Sequence, residues 1–233
     1  AVYEMATSKA PVEDFVKEPC GYKTKSEAQY RMLLQLIKGH LAGVGASLSK
    51  LSGTELLAAY VESWENNKRA AKIIKNVFSY ISRHWLAREI SEGSDVLPIS
   101  LVFPKLWLTE VVPKVQASLS TAVNSLLKQK REGKDVDIGL ARSIAELYYF
   151  LQEQCKKIVE DGEETFKRRF LKGFVKGGAD FYEAQAAPYY DDEEGFLSKF
   201  ESEIWQKQEQ QIAEDILIEK YVDMYKEMLI HSL

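Results

Sequence analysis

Residues 79–93 read SYISRHWLAREISEG and bring together two aromatic rings, two arginines and one of the chain's three histidines. His84 could serve as a general base oriented by Glu89 or a more distant acid, since imidazole titrates near neutral pH. Neither a nucleophile nor a glycine-rich oxyanion loop lies beside it, and a lone histidine on an amphipathic helix is usually structural. A second chemistry for the same residues is recognition. Tyr, Trp and Arg combine a large contact area with a directional polar end, which is why they dominate protein interfaces. The third reading is core: aromatic residues at helical spacing pack inward, and Arg88 can snorkel over them to water.

Elsewhere the chemistry is thinner. The run DDEEG begins with Asp191 and Asp192, and paired carboxylates of this kind hold Mg²⁺ and, through it, diphosphate in all-α prenyl-diphosphate enzymes. Such enzymes need a second acidic site on a facing helix, which the sequence lacks, and acids at a helix start also favour its dipole. Cys20 and Cys155 are the only cysteines, too few for a disulfide framework or a zinc site, and nothing nearby would lower either thiol's pKa. No phosphate-binding P-loop, dinucleotide fingerprint, His-x-x-x-His pair or serine elbow occurs, and Gly43-Val-Gly45 matches no motif. Neither a cofactor nor a metal is expected.

With 233 residues, 45% of them hydrophobic and 28% charged, the chain can bury a core. The net charge is −4, and cations and acids interleave along the chain rather than gathering into blocks, so nucleic acid is not an expected partner. No segment approaches the roughly 18 apolar residues that span a bilayer, and no basic region precedes an apolar one at the start. The expected location is cytoplasm and nucleus.

The elements that must position these residues are helices almost throughout. Tyr30, Leu33, Leu34, Leu36, Ile37 and Leu41 predict a helix with one buried face from Ser26 to about Leu51. Thr54 is a candidate N-cap for a second, with Leu56, Leu57, Tyr60, Val61 and Trp64 as its stripe and an end near Asn66-Asn67. A third runs from Lys68 to Ile90. A long helix from Ser100 to Gly133 should bend at Pro104 and Pro113 or become regular only after Pro113. Lys130, Arg131 and Gly133 close it, the cations favouring its negative pole. Segments 138–158, 163–187, 195–216 and 217–231 continue the pattern. The predicted fold class is all-α: stacked bundles in a solenoid-like arm, with one unit over 1–134 and a second over 135–233.

On a helical wheel, Ile74, Phe78, Ile81 and Trp85 fall toward one flank, and Tyr80 and His84 toward the other with Arg88 between. One helix is thus expected to show both a core face and a polar-tipped aromatic face.

These residues also carry a family likeness. The stretch LLAAYVESWENNKRAAKIIKNVFSYISRHWLAREISEG resembles the N-terminal repeats of cullins, in which a Trp-containing helix precedes a Tyr-x-x-Arg-His/Tyr-Trp/Phe-x-x-Arg helix. Those positions are Trp64, Tyr80, Arg83, His84, Trp85 and Arg88. The opening AVYEMATSKAP is similar to the end of the family's adaptor-contacting helix, with Val2, Tyr3, Met5 and Thr7 in place and Ala6 where cysteine is usual. LLKQKREGKDVD matches the element joining two repeats, and FKRRFLKGFVKGGADFYEAQAAPYY resembles a segment of the second repeat.

The resemblance implies a non-catalytic scaffold of a ubiquitin ligase. Its first repeat would hold a Skp-type or BTB adaptor, and through it a substrate receptor such as an F-box protein. Val2, Tyr3, Tyr80, Arg83, His84, Trp85 and Arg88 would face that adaptor, with Trp85 nearest the core flank. A RING-box protein would be recruited by a distant C-terminal domain that these 233 residues do not reach, so the expectation is an N-terminal arm that binds without ligating. The alternatives are the Mg²⁺-dependent diphosphate enzyme and a general helical-repeat tether.

Overall fold

Apolar residues recurring every three to four positions can bury one stripe only by winding into helices, and the chain does so. The computed structural model describes residues 2–8, 24–156, 158, 164–186 and 193–233, and no β-strand occurs among them. In chain order the helices are α1 (Val2–Thr7), α2 (Lys25–Leu48), α3 (Gly53–Val77), α4 (79–91), α5 (99–131), α6 (Gly139–Cys155), α7 (165–186), α8 (193–216) and, after a 3₁₀ turn at Glu219–Tyr221, α9 (Val222–Ile230). Four of these runs widen into π-turns: Ser82–Leu86 in α4, Trp107–Val111 in α5, Lys167–Leu171 in α7 and Phe200–Glu209 in α8.

The chain divides into two compact units, one of residues 1–47 and 62–114 and one of 48–61 and 115–233. In the first, Tyr30, Leu33, Ile37 and Leu41 of α2 are buried with Trp64 of α3, Ile81 and Trp85 of α4, and Val102, Phe103 and Trp107 of α5. Trp64 and Trp107 meet edge to face with centroids 5.1 Å apart. The Tyr30 hydroxyl donates to the Leu97 carbonyl at 2.9 Å and accepts from the Leu97 amide at 3.0 Å, fixing the turn before Pro98. Burial pushes the Tyr30 phenol above its ordinary pKa, chiefly by desolvation. In the second unit, Phe174 stacks on Tyr225 at 4.3 Å and Phe166 lies 4.5 Å from Tyr221.

Several expected boundaries move. No break occurs at Asn66-Asn67, and α3 continues to Val77. Asn67 continues the inward row of Leu57, Tyr60 and Trp64, and it is 6% exposed. Among the described residues neither atom of its amide has a hydrogen-bond partner, a cost of about 1–3 kcal/mol. The break falls instead at Phe78 (φ −92°, ψ 15°), so the expected single helix over 68–90 is two. Pro104 does not prevent regular structure. Helix α5 is helical from Ile99, and a π-turn lies between its two prolines. Its end is as expected: Gly133 has φ +80°, and the Lys134 amide reaches back to the Gln129 carbonyl at 3.1 Å. Arg131, however, turns inward rather than lying over the helix terminus, and it is 4% exposed.

Candidate functional site: an aromatic and cationic face on α1 and α4

Helix α4 repeats apolar residues on its inner side, and its π-turn adds one residue to a helical turn. Both Trp85 and Leu86 are consequently buried. Trp85, 8% exposed, packs against Tyr30 with centroids 5.4 Å apart. Ile81 is fully buried, whereas Ile74 and Phe78 are half-buried and Ile73 and Val77 exposed.

The outer side of α4 meets α1. Tyr3, 60% exposed, presents its ring edge-on to Tyr80 at 4.9 Å, and Tyr80 in turn leans on His84 at 4.6 Å. This ladder of three rings joins two segments separated by more than seventy positions. Helix α1 is held for it through its backbone: Gln29 of α2 donates to the Val2 carbonyl at 3.2 Å, and the Lys25 ammonium donates to the Ser8 carbonyl. Val2 itself is half-buried.

Two cations flank the rings. Arg83 is exposed, its Nε 3.4 Å from the Ser79 carbonyl. The Arg88 guanidinium pairs loosely with Glu89 at 3.3 Å and Glu92 at 3.8 Å. Glu89 also accepts from Ser94 at 2.9 Å, so it is committed to Arg88 and Ser94, while His84 is packed on Tyr80. Beside this face opens a groove of about 560 Å³, with Glu27, Arg31, Arg88 and Glu92 on its walls and the remaining exposed edge of Trp85 among them.

Of the seven residues singled out in the sequence, six therefore lie at or near the surface of one unit. Trp85 is the exception, since its ring belongs to the core and supports the face from beneath. Asp191 and Asp192 lie outside the described residues, as does Cys20; Cys155 is buried. Among the described residues no cluster of three or more His, Cys, Asp or Glu could hold a metal ion, and no helix is long and apolar enough to cross a membrane.

The profile of the cullin alpha solenoid domain matches this sequence over residues 1–233. The chain belongs to the cullin family. It is 25% identical to Cullin-1 of Caenorhabditis elegans over 170 residues, which are 69% of this chain and 21% of that protein. With Cullin-1 of Dictyostelium discoideum it shares 23% identity over 229 residues, 89% of this chain and 29% of the relative. Similarity to Cullin-3 of Caenorhabditis elegans extends over 209 residues at 20% identity. This cullin chain thus spans between a fifth and a third of the length of these relatives.

A group of polar residues in the second unit was not anticipated. Arg131 and Glu209, both with fully buried side chains, pair through Nη2–Oε1 at 2.7 Å and Nε–Oε2 at 2.9 Å. The carboxylate also accepts from Tyr182 at 2.7 Å and Tyr225 at 2.5 Å, and Arg131 Nη1 donates to the Gly177 carbonyl at 3.3 Å. Burial, reinforced by the Glu209 charge, holds both phenols above their ordinary pKa, and the carboxylate keeps the guanidinium protonated. A signal was present in the sequence. Arg131 continues the four-residue row Leu119, Val123, Leu127, and Glu209 sits between Trp205 and Ile212–Ala213 on a similar row. A charge on a buried row needs an opposite charge.

Proposed function

We propose that this cullin chain is the N-terminal arm of a cullin-RING ubiquitin ligase scaffold, working in cytoplasm and nucleus. In this reading its first repeat comprises residues 1–134 and its second 135–233, and the α1–α4 face binds a Skp-type or BTB adaptor that carries a substrate receptor. The observation that carries the reading is the Tyr3–Tyr80–His84 ladder flanked by Arg83 and Arg88. Two helices from distant parts of the chain meet there and leave aromatic edges and cationic tips toward solvent, the composition of interface hot spots. Val2 and Trp85 act from behind, one on α1 and the other beneath α4. The chain holds its partner and takes no part in bond-making; recruitment of a RING-box protein belongs to other parts of a full-length cullin.

A calorimetric titration of the chain with purified Skp-type and BTB adaptors tests this, run in parallel with a Tyr80→Ala/Arg88→Ala variant. Binding to one adaptor class, lost in the variant while the circular dichroism melt is unchanged, is the expected result. Binding that survives both substitutions would refute the assignment of this face.

A further inference from the structure

The net charge of the chain conceals a local excess. No Asp or Glu occurs between Glu110 and Glu132, nor between Glu164 and Asp180, while the second interval contains Lys167, Arg168, Arg169, Lys172 and Lys176 and the first ends with Lys128, Lys130 and Arg131. Within the second unit these two acid-free segments, residues 115–131 of α5 and 165–179 of α7, lie side by side and parallel. The Gln116 amide donates to the Arg169 carbonyl at 2.7 Å, Asn124 donates to the Gly173 carbonyl at 3.0 Å, and Arg131 reaches Gly177. The helices approach closely because glycines face α5. A Cβ on Gly173 would stand 2.7 Å from Ser120 Oγ, and one on Gly177 2.6 Å from the Asn124 side chain.

That contact line fixes where the cations go. At 3.6 residues per turn, Lys172 and Lys176 both fall within roughly 100° to one side of the Gly173–Gly177 line, Arg169 stands in the π-turn just before them, and Lys128 falls on the matching side of the Ser120–Asn124 line. For parallel right-handed helices these sides coincide. All four residues are exposed. Among the described residues, Arg169, Lys172 and Lys176 make no ion pair, and Lys128 has only the Glu132 carboxylate one turn away, which it helps hold below its ordinary pKa after Lys134. Three lysines thus border a shallow seam floored by Ser120, Asn124 and two glycines, and Arg169 stands at its end, beside Tyr148.

We propose that this two-helix cationic seam is a docking surface for an acidic helical segment of a partner protein. Charge complementarity supplies the argument. Arg169, Lys172 and Lys176 follow i, i+3, i+7 spacing along about 10 Å of helix, which glutamates at the same spacing on a partner helix would match. Nucleic acid fits less well, because that length spans only about three phosphates of one strand. An anionic membrane also fits less well, because Phe150, on α6, is the only exposed large apolar side chain among the described residues of this unit.

The test uses the whole chain and a fluorescein-labelled helical peptide with glutamates at i, i+3 and i+7, read by fluorescence anisotropy. Two variants carry equal charge changes: Lys128→Glu/Arg169→Glu/Lys172→Glu/Lys176→Glu in the seam, and Lys68→Glu/Arg69→Glu/Lys72→Glu/Lys75→Glu on α3. A seam variant with glutamine at the same four positions, checked by circular dichroism, separates loss of charge from loss of fold. The expected result is salt-sensitive binding weakened about tenfold or more by the seam variants and less than about twofold by the α3 variant. Equal loss in both, or no binding of the peptide by the unaltered chain, would overturn the proposal. So would a seam that bound oligouridine or phosphatidylserine vesicles in preference to the peptide.

Discussion

Two arginine–glutamate groups, one in each unit of this molecule, are opposites. On α4, Arg88 is 58% exposed and its pairs with Glu89 and Glu92 are long, 3.3 and 3.8 Å. In the second unit, Arg131 and Glu209 are completely buried and joined by two short bonds, with Tyr182 and Tyr225 satisfying the remaining acceptor positions. An exposed pair contributes about 0–1 kcal/mol and can exchange partners freely. A buried pair is held by the cost of separating it, because either charge alone in the interior is strongly unfavourable. Residue type therefore does not distinguish a binding face from a folding device; solvent does. The exposed set can exchange its present pairs for those of a partner, and the buried set cannot.

The comparison can be broken most sharply at Glu209. Glu209→Ala should destabilise the chain by about 3–5 kcal/mol by leaving Arg131 uncompensated, and Arg131→Met combined with Glu209→Leu should recover most of that loss in urea unfolding. Were the single and double variants equally unstable, the pair would be needed for more than mutual neutralisation. Beneath the binding face, Trp85→Ala should cost about 3–5 kcal/mol, since a buried ring against Tyr30 is lost. Gly45→Ala should cost about 1–3 kcal/mol, because a Cβ there would lie 2.9 Å from the Glu110 carbonyl. High pH should act on the buried phenols. Tyr182, Tyr225 and Tyr30 have folded pKa values above the unfolded value near 10. Their contribution is complete below pH 10 and declines above it, as the unfolded chain loses protons first. Chemical denaturation at stepped alkaline pH should show this fall. The smallest effect belongs to the exposed face, where Tyr80→Ala and Arg88→Ala should each alter stability by under about 1 kcal/mol.

Much of this was legible in the sequence. The periodicity of α2, the glycine stop at Gly133 and the segregation of Tyr80 and His84 from Ile81 and Trp85 all follow from side chains that must either bury or expose themselves. Asn67 misled because asparagine prefers turns in isolation, and a buried tertiary position overrode that preference. Gly45 looked like an unassigned motif fragment, yet it serves a close approach to α5 that only three-dimensional packing reveals. Arg131 lay on an apolar row and was read by its nearness to a helix end, since its partner Glu209 is 78 positions away. The approach of α1 to α4 likewise depends on tertiary contact and not on any local pattern; it was expected from the family resemblance alone.

Hydrogen–deuterium exchange of the chain, free and saturated with whichever adaptor it binds, tests the scaffold reading most directly. The predicted result is new protection confined to residues 2–7 and 79–91, with exchange around Arg131 and Glu209 unchanged. Protection that spared both segments and appeared elsewhere would contradict the assignment of the aromatic and cationic face as the adaptor site.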